Sequence, residues 1–143
     1  MAAPLDPTTD RVRAAAAALF AAHGFHGTKM RDIAARAGVN LAAANYHYGS
    51  KKALYLAVLR AQFAEIRALL ASGGAQKTPA ELDRLSYAQL GALLRARTEI
   101  MLSLLAGEPP SLHATLMQRE MTDPSEALPS IVEEFILPMI RET

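Results

Sequence analysis

Side chains that can bind DNA are concentrated between residues 28 and 51. The amide of Asn45 can pair with both hydrogen-bonding atoms on the edge of an adenine. Tyr46 and His47 can reach phosphates, and the alanines before them allow close approach to thymine methyl groups. The same residues also fit a plainer interpretation, in which the alanines only favour helix, Asn45 is merely exposed and the aromatic pair borders the core.

Two short helices are predicted to position these side chains. Thr28 can cap a helix that ends at Gly38, and Asn40 can cap a second helix from Leu41 to about His47. Gly38 permits the sharp turn between them. Such a helix-turn-helix places its second helix in the major groove of DNA. The first helix crosses the backbone, where its N-terminus and Thr28 can meet a phosphate.

The sequence around this turn matches a familiar pattern. From His23 it reads H-G-F-H-G-T-K-M-R-D-I-A-A-R-A-G-V-N, and from Asn45 it reads N-Y-H-Y-G-S-K-K-A-L-Y. Over Thr8 to Leu59 it resembles the DNA-binding domain of tetracycline-repressor (TetR) family regulators. The segment N-L-A-A-A-N-Y-H-Y-G, together with R-E-M-T-D-P-S at 119–125, is similar to the CecR-like branch of that family.

The resemblance implies a homodimeric repressor with two functional parts. Its N-terminal helices would bind double-stranded operator DNA, and its C-terminal helices would bind a small-molecule effector that releases the DNA. The family pattern places Thr28 and Lys51 on phosphates and the segment from Asn40 in the recognition helix. The basic residues Lys29 and Arg31 are expected to add phosphate contacts. The predicted DNA contacts are therefore Thr28, Lys29, Arg31, Asn40, Leu41, Ala42, Ala43, Asn45, Tyr46, His47 and Lys51.

The recognition segment departs from the family pattern in two respects. Asn45 stands where many members have tyrosine. Leu41, Ala42 and Ala43 offer no hydrogen bonds, so base reading would depend on methyl contacts together with Asn45 and Asn40.

Helical patterns continue along the whole chain. Apolar residues recur at three- and four-residue intervals and no segment alternates over the length of a strand, so we predict an all-α fold. The further predicted helices are one from Thr8 or Thr9 to His23, one from Lys51 to about Leu70, one, straight or bent, from Thr78-Pro79 to Gly107, one from Ser111 to Met121, and a last one with Pro129 in its first turn and a kink or end at Pro138.

Two domains are expected from this pattern. Residues 1–50 form the helix-turn-helix DNA-binding domain, and residues 51–143 form part of a helical effector-binding and dimerisation region. Because family members are usually longer, we expect the sequence to be a truncated portion of a longer protein; the alternative is that dimerisation uses other surfaces.

A candidate effector pocket is predicted around Met101, His113, Met117 and Glu120. Methionine is flexible and polarisable and suits adaptable apolar pockets. His113, Met117 and Glu120 follow the i, i+4, i+7 spacing that places side chains on one helix face. Ordinary core packing of the methionines and an exposed His113 are the alternatives.

The composition excludes several classes of protein and of site. Of 143 residues 51% are hydrophobic and 20% charged, which argues against disorder. The absence of cysteine excludes disulfides, thiolate zinc sites and cysteine nucleophiles. Residues 1–60 hold eight Lys and Arg against three acids, a net charge of +5, whereas residues 61–143 hold seven against eleven, a net charge of −4. A basic N-terminal part suits a polyanionic partner.

We therefore predict a cytoplasmic transcriptional regulator rather than an enzyme. The sequence contains no glycine-rich phosphate loop, no H-E-x-x-H and no G-x-S-x-G motif. We expect no cofactor, no metal site and no membrane span. The alternative is a helical protein-interaction module that keeps the fold without binding DNA, which the apolar recognition helix would suit.

Overall fold

The computed structural model describes residues 6–72, 77–107 and 110–141, and every regular element within these ranges is helical. The all-α prediction is thereby confirmed. The elements are α1 (Pro7–His23), α2 (Met30–Ala37), α3 (Leu41–Tyr48), α4 (Lys51–Ser72), α5 (Pro79–Leu82), α6 (Tyr87–Ala106), α7 (Leu112–Thr122), α8 (Leu128–Ile131), a π-helical turn (Val132–Ile136) and α9 (Leu137–Arg141).

The described residues form two compact units. The first unit joins the residues up to Ala61 with those from Thr115 onward, and the second unit runs from Gln62 to Ala114. The candidate DNA contacts therefore belong to a unit that also contains most of α7 and the elements after it.

Apolar faces of α1 to α4 contribute the core of the first unit. Val12, Ala16 and Phe20 are fully buried on α1, because residues spaced by four share one side of a helix. The Phe20 ring contacts the rings of Tyr55 and Phe25, with centroid distances of 4.9 Å and 6.0 Å. This core holds α2 and α3 against α1.

Glycine and polar caps set the bounds of the short helices, as predicted. Gly38 ends α2 in the left-handed conformation, with φ at 69°, which glycine adopts without steric cost. Asn40 begins α3 by accepting a hydrogen bond from the Ala43 N–H at 2.7 Å. Ser50 begins α4 in the same way, accepting from the Ala53 N–H at 3.0 Å.

Two predicted helix starts near the N-terminus are wrong. Helix α1 begins at Pro7, not at Thr8 or Thr9, because Asp6 caps it and proline suits the first helical position. Thr28 does not cap α2, which begins at Met30 without any side-chain cap.

The segment from Thr78 to Gly107 is not one helix. The predicted capping box of Thr78 and Glu81 is present, but the helix it begins, α5, already ends at Leu82. A second capping box, formed by Ser86 and Gln89, begins α6. Because each capping box satisfies the free N–H groups of a new helix, the second one marks a break that apolar spacing alone does not reveal.

The last helical segment changes its hydrogen bonding ahead of Pro138. Pro129 lies in the first turn of α8, as predicted. The π-helical turn follows, and the chain remains helical through Pro138 to Arg141. The prediction that the helix could end at Pro138 is therefore wrong. Proline is tolerated in the first turn of a helix, and Pro138 is the second residue of α9.

Candidate nucleic-acid interface

Helix α3 exposes one face to solvent. Leu41, Ala42, Asn45 and Tyr46 are exposed, and their i, i+1, i+4, i+5 spacing puts them on one side of the helix. Tyr46 is 86% exposed and Leu41 is 43% exposed, whereas Ala44 on the opposite side is fully buried. The outward face of α3, as we call these four residues, offers an amide, a phenol and two apolar side chains.

Hydrogen bonds fix the rest of α3 to α1. His47 Nδ1 shares a hydrogen bond with Thr9 Oγ1 at 3.0 Å, and the Tyr48 hydroxyl donates to the Thr9 carbonyl oxygen at 3.0 Å. Burial raises the pKa of Tyr48, so its phenol remains a donor. His47, one of the predicted phosphate contacts, is thus half-buried and held by Thr9. Of the predicted aromatic pair, Tyr46 is the residue that projects outward.

The Thr28 hydroxyl is used inside the protein. The residue is 2% exposed, and its Oγ1 donates to the carbonyl oxygens of Gly24, at 2.7 Å, and Leu19, at 3.2 Å. It closes the connection between α1 and α2 instead of capping α2. A phosphate contact at Thr28 stays a prediction.

Lys51 combines an internal contact with a cationic position at the start of α4. Its Nζ donates to the Phe25 carbonyl oxygen at 2.8 Å and lies 4.2 Å from the centroid of the Phe25 ring. An ammonium group has three donors, so this bond leaves capacity for a phosphate oxygen. The contact with Phe25 holds the ammonium group close to the junction of α3 and α4.

Further cations lie on the helices that flank α3 in the chain. Lys29 and Arg31, at the N-terminus of α2, are both exposed, and so is Arg36 in the last turn of α2. The Arg31 guanidinium lies 3.8 Å from the Asp32 carboxylate, an exposed pair that holds it only weakly. None of the four residues of the outward face of α3 is a cation, so the exposed positive charge of α2 is separate from that face.

The four predicted effector residues are divided between the two units. Met101 and His113 belong to the second unit, where Met101 is 37% exposed and His113 is 9% exposed. His113 is therefore not at the surface; its ring meets the Phe63 ring edge to face at 4.9 Å, and no described residue forms a hydrogen bond with its buried Nδ1. Burial lowers the pKa of His113. Met117 and Glu120 belong to the first unit, and a pocket formed by all four stays a prediction.

Glu120 and Arg119 make hydrogen bonds that residue spacing does not predict, and those of Glu120 are buried. Glu120 accepts hydrogen bonds from the Tyr55 hydroxyl at 3.0 Å and from the N–H and hydroxyl of Ser125 at 2.9 Å and 2.8 Å. The Arg119 guanidinium donates to the carbonyl oxygens of Ala21 and Ala22, at 2.7 Å and 2.6 Å. The only sequence signal was the R-E-M-T-D-P-S stretch, which contains three of these residues.

A small cavity lies beside these contacts. It measures about 30 Å³ and is lined by Phe20, Tyr55, Arg119 and Glu120, among others. That volume suits a water molecule. A drug-sized ligand needs roughly 300–1,000 Å³, so this cavity is not an effector site of that kind.

The fold and the outward face of α3 define a helix-turn-helix protein, and comparison with known proteins gives its family. Residues 12–58 match the model of the tetR family of bacterial regulatory proteins. Residues 90–143 match the C-terminal domain of the HTH-type transcriptional dual regulator CecR. The chain belongs to the TetR family of transcriptional regulators, and the resemblance noted in the sequence is confirmed.

Individual relatives agree with this assignment. The transcriptional dual regulator CecR of Shigella flexneri is 34% identical over 137 residues, covering 88% of this chain and 56% of CecR. The transcriptional regulator RutR of Escherichia coli is 47% identical over 49 residues, covering 34% of this chain and 23% of RutR. This chain thus spans only part of each relative.

A solved structure supports the fold. The crystal structure of a mutant HlyIIR protein superposes with a TM-score of 0.57 and 24% identity, covering 90% of this chain and 63% of that one.

In the parts of this chain that the structure describes, no helix is long and apolar enough to cross a membrane. The same residues contain no group of three or more His, Asp or Glu that could hold a metal ion.

Proposed function

We propose that this chain contains the operator-binding domain and part of the effector-responsive region of a transcriptional repressor. The observation that carries the proposal is the outward face of α3, which exposes Asn45 and Tyr46 while Ala44, His47 and Tyr48 fix the helix to its neighbours. A helix presented in this way fits the major groove of duplex DNA. Residues 1–50 would form the DNA-binding domain and residues 51–143 the partial effector and dimerisation region.

The cations around α3 would supply the affinity that does not depend on sequence. Lys29, Arg31 and Lys51 would contact phosphates, with Lys52 adding to the attraction. Phosphate contacts set the register of the protein on the duplex, and base contacts then select the sequence. As a regulator that binds chromosomal DNA, the protein would act in the cytoplasm.

A homodimer on a near-palindromic operator is part of the same proposal. Two recognition helices would lie about one DNA turn apart, roughly 34–36 Å. A small molecule bound among the C-terminal helices would favour an arrangement of α4 that changes this spacing. The hydrogen bond from Tyr55 on α4 to Glu120 on α7 supports such a route, because a shift of α7 would act on α4 directly. Effector and operator would then weaken each other's binding by the same factor.

Salt dependence of DNA binding tests the proposal. Log K for operator DNA should fall linearly with log salt, with a slope of about −0.9 for each phosphate contacted. Arg31→Ala should reduce the slope by about one. Arg84→Ala is the matched control, because Arg84 is also an exposed arginine but follows α5, far along the chain from the helix-turn-helix.

A slope near zero in the folded protein would contradict the proposal. It would favour the alternative of a protein-interaction module that has kept the fold without DNA binding, for which the exposed apolar Leu41 and Ala42 on α3 are the supporting observation.

A further inference from the structure

We infer that the outward face of α3 reads A·T base pairs, with Asn45 on an adenine and with Leu41 and Ala42 on thymine methyl groups. The inference rests on the proposed function, because it assigns a base chemistry to the helix that is proposed to enter the groove. It concerns sequence preference, which the phosphate contacts do not determine.

The hydrogen-bonding capacity of the face favours adenine. Asn45 supplies the face's one amide, which can donate to adenine N7 and accept from its N6 amino group together. Guanine presents two acceptors, N7 and O6, and is matched by arginine or lysine. Helix α3 contains neither residue. The other nearby amide, Asn40, already uses its Oδ1 to cap the Ala43 N–H.

The apolar part of the face favours thymine. In the major groove only thymine carries a methyl group, and apolar side chains recognise it by contact. Leu41 and Ala42 are both exposed beside Asn45, which follows Leu41 by four residues and so lies one turn along the same side. The amide and the apolar side chains would therefore meet neighbouring base pairs, and we expect the adenine and the thymines to be adjacent in each half-site.

Charge complementarity identifies duplex DNA as the occupant of this face. Residues 1–60 carry a net charge of +5, and the exposed Lys29, Arg31 and Arg36 on α2 belong to this excess. Because these cations lie on α2 and not on the outward face of α3, they suit phosphates of the DNA backbone and leave the bases to that face. The floor of the groove is left to Leu41, Ala42, Asn45 and Tyr46.

Base analogues in a selected operator test the inference. Duplexes bound by the purified protein are first selected from random DNA, and half-sites with an adenine next to thymines are expected. Replacing each thymine by deoxyuridine removes only its methyl group and should weaken binding about fourfold where that methyl is buried. Replacing the adenine by its 7-deaza analogue removes one acceptor and should weaken binding about two- to tenfold.

Two asparagine variants provide a matched comparison. Asn45→Ala should remove the preference for adenine at one position and cost roughly five- to hundredfold in operator affinity, while binding to random duplex at low salt persists. Asn40, also a predicted base contact, has its Oδ1 occupied by the Ala43 N–H and cannot pair with adenine through both amide atoms. Asn40→Ala removes the cap of α3, so it should lower thermal stability and weaken binding to all sequences alike.

Selected half-sites dominated by G·C pairs would overturn the inference, and so would affinities that neither analogue changes. In both cases salt-dependent binding would continue and the proposed function would stand. If no duplex is bound in a salt-dependent manner, the proposed function itself fails, and the inference fails with it.

Discussion

The carboxylate of Glu120 joins α4, α7 and the loop that follows α7. Its partners are Tyr55, 65 residues earlier in the chain, and Ser125. Glu120→Ala would leave the Tyr55 hydroxyl and the Ser125 N–H buried without an acceptor, at a cost of about 1–3 kcal/mol for each group. We therefore expect this variant to lower the free energy of unfolding by about 2–5 kcal/mol in urea denaturation.

A double-mutant cycle checks this expectation. Tyr55→Phe alone should cost about 1–3 kcal/mol, because it removes a hydrogen bond to a charged acceptor. In the Glu120→Ala background the same change should cost much less, since its partner is already absent. Strictly additive losses would show that the two side chains do not act together.

His113 makes the second unit sensitive to acid. Burial lowers its pKa, so the folded protein resists protonation, whereas in the unfolded chain the side chain takes up a proton below about pH 6.5. The unfolded state therefore binds more protons as the pH falls through this range, and stability decreases. Above that pH both states are neutral and His113 makes no contribution to the pH dependence.

His113→Gln should flatten the free energy of unfolding between about pH 7 and 5. Hydrogen bonds lower the pKa of Glu81 and of Glu134 from 4.5. Their contribution to stability is therefore lost only below about pH 5, outside this window. If the profiles of the wild type and His113→Gln ran parallel, the assigned acid sensitivity would be wrong.

Residue spacing predicts which way a side chain points better than it predicts what the side chain touches. The 3.6-residue period is enough to place Ala44 in the core and Asn45 and Tyr46 outside. It contains no information about Arg119, whose guanidinium reaches carbonyl oxygens 97 and 98 residues away. For the same reason the sequence suggests an outward Thr28, although its hydroxyl turns to two carbonyl groups of the α1 end.

At the scale of elements, local chemistry predicts the helix-turn-helix well and the later helices less well. Gly38, Asn40 and Ser50 act within three or four residues of their own position, so their effect can be read from the sequence. Between α5 and α6 the apolar spacing continues through a break. There the informative signal is the second capping box, formed by Ser86 and Gln89, which apolar spacing does not reveal.

The end of α1 depends on a backbone conformation that only glycine adopts easily. Gly24 has φ 75° and ψ 175°, and its N–H donates to the Phe20 carbonyl oxygen. We expect Gly24→Ala to destabilise the protein by about 1–3 kcal/mol in thermal or urea unfolding. An added Cβ would also lie 3.4 Å from Arg119 Nη1.

Gly91→Ala provides the control for Gly24→Ala. Gly91 lies inside α6 with open space around the site of a Cβ, so alanine should stabilise the protein by about 0.5–1 kcal/mol. Changes of the same sign in both variants would contradict the argument from backbone conformation.

At the scale of the whole molecule, two-fold symmetry of the proposed dimer limits the operator. Half-sites one helical turn apart lie on the same side of the duplex and can be read together. Inserting about five base pairs, half a turn, between them should reduce affinity to that of a single half-site. Fluorescence anisotropy with labelled duplexes measures this, and equal affinity for both spacings would argue against a dimer that reads two half-sites.

The discontinuous first unit has a consequence for the order of synthesis. During translation α1 to α4 leave the ribosome before α7 exists, because α5 and α6 are made in between. Until then the Tyr55 hydroxyl lacks the Glu120 acceptor, and the Ala21 and Ala22 carbonyl oxygens lack the Arg119 guanidinium. In a nascent chain that stalls before Thr115, the helix-turn-helix would thus be incompletely stabilised. We expect tight DNA binding only after α7 has been synthesised.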